Sequence, residues 1–268
     1  MAGTTTKSTM PVMDMWNSTY PPKRPMLRGL LLLGGLLAVS WSYNAFPSFW
    51  RASSARGVAA LVIADQRFKP GILNEALARI EAEPRPLVQQ PELSLAEVVV
   101  SLRTAEESLQ RKSSAEAQSS VEAAEQRIKK AISANPGDSF LWLLLYSVTV
   151  LNGPSSQNTG YLGESYLIGP REGWVSLRRN RVALAAFGIL SPEIQDAVVS
   201  EFAEMVDSDF LDDAAANLAG VGWTSRERLL EGLKRADLAS RERFAKRFAR
   251  EGRNAAIPGV ESDERPWR

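Results

Sequence analysis

The chain contains no cysteine and no histidine. No disulfide can form within it, and there is neither thiolate nor imidazole to bind zinc. Nucleophile systems built on Ser-His-Asp or Cys-His are excluded with them. Catalysis by this chain alone would rest on carboxylates, Lys, Tyr or Ser, as in glycosidases that use two acids. No cofactor and no metal is expected. An excess of one charge is missing too. The 32 basic and 31 acidic residues leave a net charge of +1, so there is no global basic field for nucleic acid. Alternating strand patterns of useful length are also lacking. At 268 residues the chain suffices for one sizeable domain beside a membrane segment.

One absence is local. No charged residue lies between Arg28 and Arg51. The gap opens with the apolar stretch Leu30 to Val39 and closes with Trp41, Tyr43, Phe46, Phe49 and Trp50. A bilayer-crossing helix needs about 20 residues, and Trp and Tyr favour the headgroup region. Residues 28–50 therefore read as a transmembrane anchor, ended or bent at Pro47. The alternative is a cleaved signal peptide, but the residues after the apolar run are bulky and show no small-x-small cleavage pattern. Lys23, Arg24 and Arg28 precede the run, which favours a cytoplasmic segment 1–27 and a domain outside the inner membrane, in the periplasm. Gly34, Ala38 and Ser42 share one helix face, at a spacing that lets a second helix approach closely.

Everything after Arg51 reads as helix, so the expected fold class is all-α. Residues 51–252 form the domain, and 253–268 form a flexible tail apart from Trp267. Residues 84–93 carry three prolines and read as a loop. Ser94 and Glu97 form a capping box, as do Thr224 and Glu227. Ser191-Pro192 is an N-cap with Pro at the first helical position. Phe140 to Leu151 carries no charge and is too short to span a bilayer, so it is the expected central core helix.

Around the turn Asn135-Pro136-Gly137, the chain reads Ala124, Ile128, Ala131, Pro136, then Trp142 and Leu145. This resembles the boundary between tetratricopeptide repeats, where small residues let helices approach, a Pro stops the second helix and an aromatic fills the groove. Trp142 would take that place. Tyr146 stands where the family has a small residue. A weaker echo follows at Leu162, Ser165, Pro170 and Trp174, and no 34-residue period runs through the rest. The resemblance is to degenerate tetratricopeptide-like, membrane-anchored proteins of the bacterial envelope. The segment from Tyr161 to Leu184 also looks like anchored proteins found beside surface-polysaccharide genes.

Three clusters carry potential chemistry. Arg171, Arg178, Arg179 and Arg181 lie about Trp174, a composition that suits a carboxylate, phosphate or sugar. The plainer reading is a solvated face paired with Glu164 and Glu172. Asp207, Asp209, Asp212 and Asp213 lack the Gly and the distal Glu of a calcium loop and suit a helix start instead. Arg241, Arg243, Lys246, Arg247 and Arg250 make the last helix basic, with Phe244 and Phe248 on its core side; the other reading sets it on anionic lipid. The functional expectation is a non-catalytic interaction or assembly factor. Its partners would be envelope proteins, the bilayer through residues 28–50, no nucleic acid, and a glycan if the Arg171, Trp174, Arg178 and Arg181 face is used. An accessory role in polysaccharide synthesis or export is the second reading, and a carboxylate-only glycan hydrolase or lyase the third.

Overall fold

The computed structural model describes residues 23–63, 69, 71–82, 91–111, 114–153, 155–253 and 255–261, and these are helical with no strand among them. The N-terminal segment before Lys23, the prolines at 84 and 86, and Trp267 lie outside the described residues. The first helix, α1 (Lys23–Ile63), runs 41 residues without a break. Within it, Pro25–Phe46 is long and apolar enough to cross a membrane. Every described side chain of that span except Ala45 is exposed. Of the two effects expected of Pro47, ending or bending the helix, the first does not occur. A proline inside a helix removes one hydrogen bond and crowds the preceding turn, and α1 continues through it to reach the domain, where Val62 joins the hydrophobic core.

Three helix pairs follow. The helices α3 (Pro91–Arg111) and α4 (Ser114–Ala134) are joined by two residues and pack closely along each other, as an antiparallel hairpin must. Next come α5 (Ser139–Thr149) with α6 (Thr159–Ile168), then α7 (Gly173–Ala185) with α8 (Pro192–Asp207). Members of successive pairs also touch: α3 meets α5, α5 meets α7, and α6 meets α8. The pairs are unequal, however. The first has two helices of 21 residues, and the next has helices of 11 and 10, so no regular repeat length is present. The short α2 (Ile72–Ala82) and the later part of α1 lean on α3. The remaining helices, α9 (Leu211–Ala219), α10 (Arg226–Gly232) and α11 (Leu238–Arg250), close over α7 and α8.

Local signals were partly overridden by packing. Helix α3 starts at Pro91, so Ser94 falls within its first turn rather than at its N-cap. Glu97 instead faces Arg127 of α4, at 3.7 Å. Arg127 also bonds Ser101 of α3 and Glu81 of α2, tying three helices together. The Thr224 capping box does not form, because residues 223–225 make a 3-10 turn and α10 begins at Arg226 without a side-chain cap. Ser191 does cap α8, with Pro192 at its first position. Asp138 caps α5 by accepting from the N–H groups of Phe140 and Leu141.

Helix α5 is the expected core helix, buried on almost every side. Trp142 is the correction. It is only partly buried, its indole N–H donates to Pro136 O at 2.9 Å, and its ring lies 6.3 Å from that of Tyr161. Phe140 and Tyr146, each 1% exposed, fill the core instead. The expected tail also differs, since Ile257 is buried in the core and Arg241 donates to Pro258 O. Phe140→Ala should cost about 3–5 kcal/mol, the usual toll for a fully buried aromatic, and Trp142→Ala clearly less. Denaturant unfolding of the two variants checks this, and a larger loss at Trp142 would contradict the packing.

Candidate functional site

Helix α7 sorts its side chains by chemistry. Residues 174, 178 and 181 are four and three apart, which places them on one face of the helix, and Arg171 lies in the turn just before it. Arg171 and Arg181 are exposed, Trp174 is half exposed, and Arg178 is partly buried. Trp174 rests on Phe140, with ring centroids 4.7 Å apart. Phe210, just before α9, approaches Gly173 beside it. This outer stripe is the surface expected from sequence, with one member misplaced.

That member is Arg179. It is not part of a solvated face, because its side chain is 0% exposed and that of its partner, Glu201 of α8, is 2% exposed. Nε and Nη2 donate to Glu201 Oε1 at 3.0 and 2.6 Å. Nη1 donates to the Ser165 carbonyl of α6 at 2.5 Å, and Nη2 to the Gly169 carbonyl at 2.9 Å. The guanidinium lies over the Tyr166 ring at 4.2 Å. The phenol of Tyr166 donates to the other Glu201 oxygen at 2.7 Å. Ser165 passes the network to α5 by donating to Ser139 O, and Ser139 Oγ donates to Glu172 at 2.6 Å. Gly169 must be glycine, since a Cβ there would lie 2.5 Å from Ser139 Oγ.

The next residue extends the network to the other side. Asn180 Nδ2 donates to Val198 O of α8, and its Oδ1 accepts from Asn217 of α9. The signal for both polar residues was present in the sequence. Val175, Ser176, Arg179, Asn180, Ala183 and Leu184 are the buried positions of α7, spaced as one helical stripe, so Arg179 and Asn180 stand where apolar residues would continue it.

Burial pushes the Glu201 carboxyl above its ordinary range, while the Arg179 guanidinium and the Tyr166 and Ser176 hydroxyls oppose that shift. Burial, and then Glu201 itself, pushes the Tyr166 phenol well above its ordinary 10.0. The phenol therefore stays a donor at any physiological pH. With both charges sealed from solvent, the cluster offers a substrate no approach. Its chemistry is cohesion.

The other two sequence clusters turn out to be partners. Arg243 Nε donates to Asp209 at 2.9 Å, and Arg247 bonds Asp212. Asp207 accepts from the backbone N–H of Asp237. Phe244 and Phe248 stack at 5.8 Å inside the core. Asp209 takes a left-handed conformation, with φ at 69°. It ends α8 with the N–H of Phe210 reaching back to Met205 O, a helix stop in which glycine is more usual. A small cleft of about 190 Å³ lies between Leu95, Ala131, Asn135, Asp138 and Leu141, below the roughly 300–1,000 Å³ of ordinary ligand pockets. On the span of α1, Gly34, Ala38 and Ser42 are all exposed.

No family model matches this chain, and no curated protein or solved structure matches it.

Two outcomes follow from the buried cluster. Glu201→Ala should destabilise by about 3–5 kcal/mol, since it leaves a buried guanidinium without its counter-charge. A double change, Arg179→Met with Glu201→Leu, should recover part of that loss in the same denaturant titration. Tyr166→Phe should cost about 1.5–3 kcal/mol at neutral pH, the worth of a hydrogen bond to a charged group. Because the folded phenol titrates above the unfolded one, its contribution is complete below pH 10 and is lost as the pH rises further. The gap between Tyr166→Phe and the parent should therefore narrow above pH 10, by about 1.4 kcal/mol per pH unit. A gap that stays constant to pH 11 would mean that the phenol is not held as described.

Proposed function

We propose that this chain is a single-pass, membrane-anchored helical-repeat adaptor that binds a protein partner at the membrane surface and performs no catalysis of its own. The observation that carries the reading is the continuity of α1, a single helix that joins an exposed apolar span to the domain core. Such a helix confines the domain to the membrane and raises its effective concentration for partners there. The succession of touching helix pairs supports the tetratricopeptide-like reading, with unequal pairs as its degenerate feature. The basic flank of the apolar run supports an N-terminus in the cytoplasm and a domain in the periplasm.

The docking face in this reading is the outer stripe of α7. Trp174 offers an aromatic anchor, and Arg171, Arg178 and Arg181 offer directional donors. Trp and Arg are the side chains that most often dominate binding energy at interfaces. The tight polar core beneath α7 supports the same view, because a surface that must present a fixed pattern gains from a rigid element under it.

Topology and docking are tested together. A reporter active only outside the cytoplasm, fused after Trp267, should give signal, and a cytoplasm-active reporter should be silent. A photo-crosslinking residue at position 174 should capture a discrete membrane-associated partner, and Arg178→Ala with Arg181→Ala should abolish the capture without changing the melting temperature. If the loss of a single carboxylate abolishes cellular activity in a folded protein while capture persists, the adaptor reading gives way to a carboxylate enzyme.

A further inference from the structure

Arginines gathered about a tryptophan, as the sequence shows near α7, also occur elsewhere in the molecule. Trp223 sits in the 3-10 turn between α9 and α10. The Arg226 guanidinium lies over its ring at 5.0 Å and that of Arg253 at 5.3 Å. The indole is fixed from below. The N–H of Gly222 donates to Asn217 O at 2.8 Å, and Asn217 is buried and bonded to Asn180. A Cβ at Gly222 would lie 2.9 Å from both Asn217 O and Leu229, so the turn is pressed onto the core. Arg253 is also positioned, because α11 ends just before it and Ile257 is buried just after it.

Stacking uses the face of a guanidinium and leaves its planar edge of N–H donors free. Arg226 spends one donor on Trp223 O at 3.2 Å, and another lies 3.9 Å from Glu227. Glu227 is 92% exposed, and such a pair is held weakly. Among the described residues, the contact made by the Arg253 guanidinium is the Trp223 ring itself. Two cations thus share one aromatic, with unspent donors and, among the described residues, one loosely held acid paired to them. We propose that Arg226, Trp223 and Arg253 form an oxyanion-binding site that takes a phosphate or carboxylate group. The anion answers the positive charge gathered at the indole and accepts guanidinium N–H donors, the chemistry that makes arginine the preferred partner of such groups. Trp223 acts as the platform that holds both arginines in place. This site is independent of the α7 face and of whether the chain is an adaptor.

The test uses the full chain labelled with 5-fluorotryptophan in nanodiscs of zwitterionic lipid. The Trp223 fluorine resonance is the one that disappears in Trp223→Phe. Inorganic phosphate or glucuronate, added at constant ionic strength, should move it along a saturating curve, and chloride should not. Arg253→Gln should weaken that response about fivefold or more while leaving the melting temperature unchanged. Arg253→Lys, which keeps the charge and loses the planar edge, should fall between the two. If phosphatidylglycerol in the nanodisc moves the resonance to the same position, the site also reads headgroups; if only the dissolved anions do, it reads soluble ligands. A response to neither anion, a response linear in anion, an equal response to chloride, or unchanged affinity in Arg253→Gln would overturn the proposal.

Discussion

A guanidinium with no access to water is tolerable only if its charge is answered and nearly all its donors are spent, and Arg179, on α7, meets that condition by drawing on two neighbouring helices at once. Its counter-charge comes from α8, its carbonyl acceptors come from the end of α6, and the Tyr166 face covers it. Desolvating such a pair consumes most of the attraction it gains. The network therefore contributes less to net stability than to choice of arrangement. A shifted register between α6, α7 and α8 would strand a charge, whereas leucines would tolerate the slip. Gly169 is bound into the same logic, because its carbonyl accepts from Arg179 while its missing Cβ lets Ser139 and Glu172 close against the turn.

The second constraint is mechanical. At 1.5 Å per residue, a helix of 41 residues is about 60 Å long. A bilayer's hydrocarbon core takes about 30 Å of that. Roughly half of α1 is then left to pack on α3 and to place Val62 in the core. In the anchored reading, the domain is not tethered by a slack linker. Its orientation to the membrane is inherited from the helix, and so are the directions in which the α7 stripe and the Trp223 site face. That is why the continuity through Pro47 matters more than the exact limits of the apolar span.

The all-helical class, the charge-free core helix, the Ser191-Pro192 start and the burial of Phe244 and Phe248 were legible, because each is written in a contiguous stretch of ten to twenty residues. Arg179 was not read, although its place on the α7 stripe with Val175 and Ala183 was visible. One arginine among four looks the same as its neighbours until Glu201 is brought to it from 22 positions away. The helices do not start at Ser94 and Thr224, the positions their capping boxes marked, for a related reason. A local cap is worth about 1 kcal/mol, which is too little to resist an earlier start at Pro91 or a 3-10 turn that seats Trp223. The acidic run at 207–213 and the basic last helix looked like two candidate sites. They neutralise each other across more than 30 residues of chain.

Arginine has three fates in this molecule, and burial and the reach of an acid decide between them. Arg179 is buried and must be answered completely. Arg228, Arg243 and Arg247 are more exposed and find Asp196, Asp209 and Asp212 across helix boundaries. Such pairs fasten α10 and α11 to their neighbours at little net gain. Arg226 and Arg253 lie over Trp223, where, among the described residues, the carboxylate paired to them is loosely held. A net charge of +1 conceals this division, because the global balance is struck by pairs that have already consumed their partners. Charge available for an external ligand is therefore a local quantity, and among these groups it is greatest where aromatic stacking has fixed two cations together without supplying the anion.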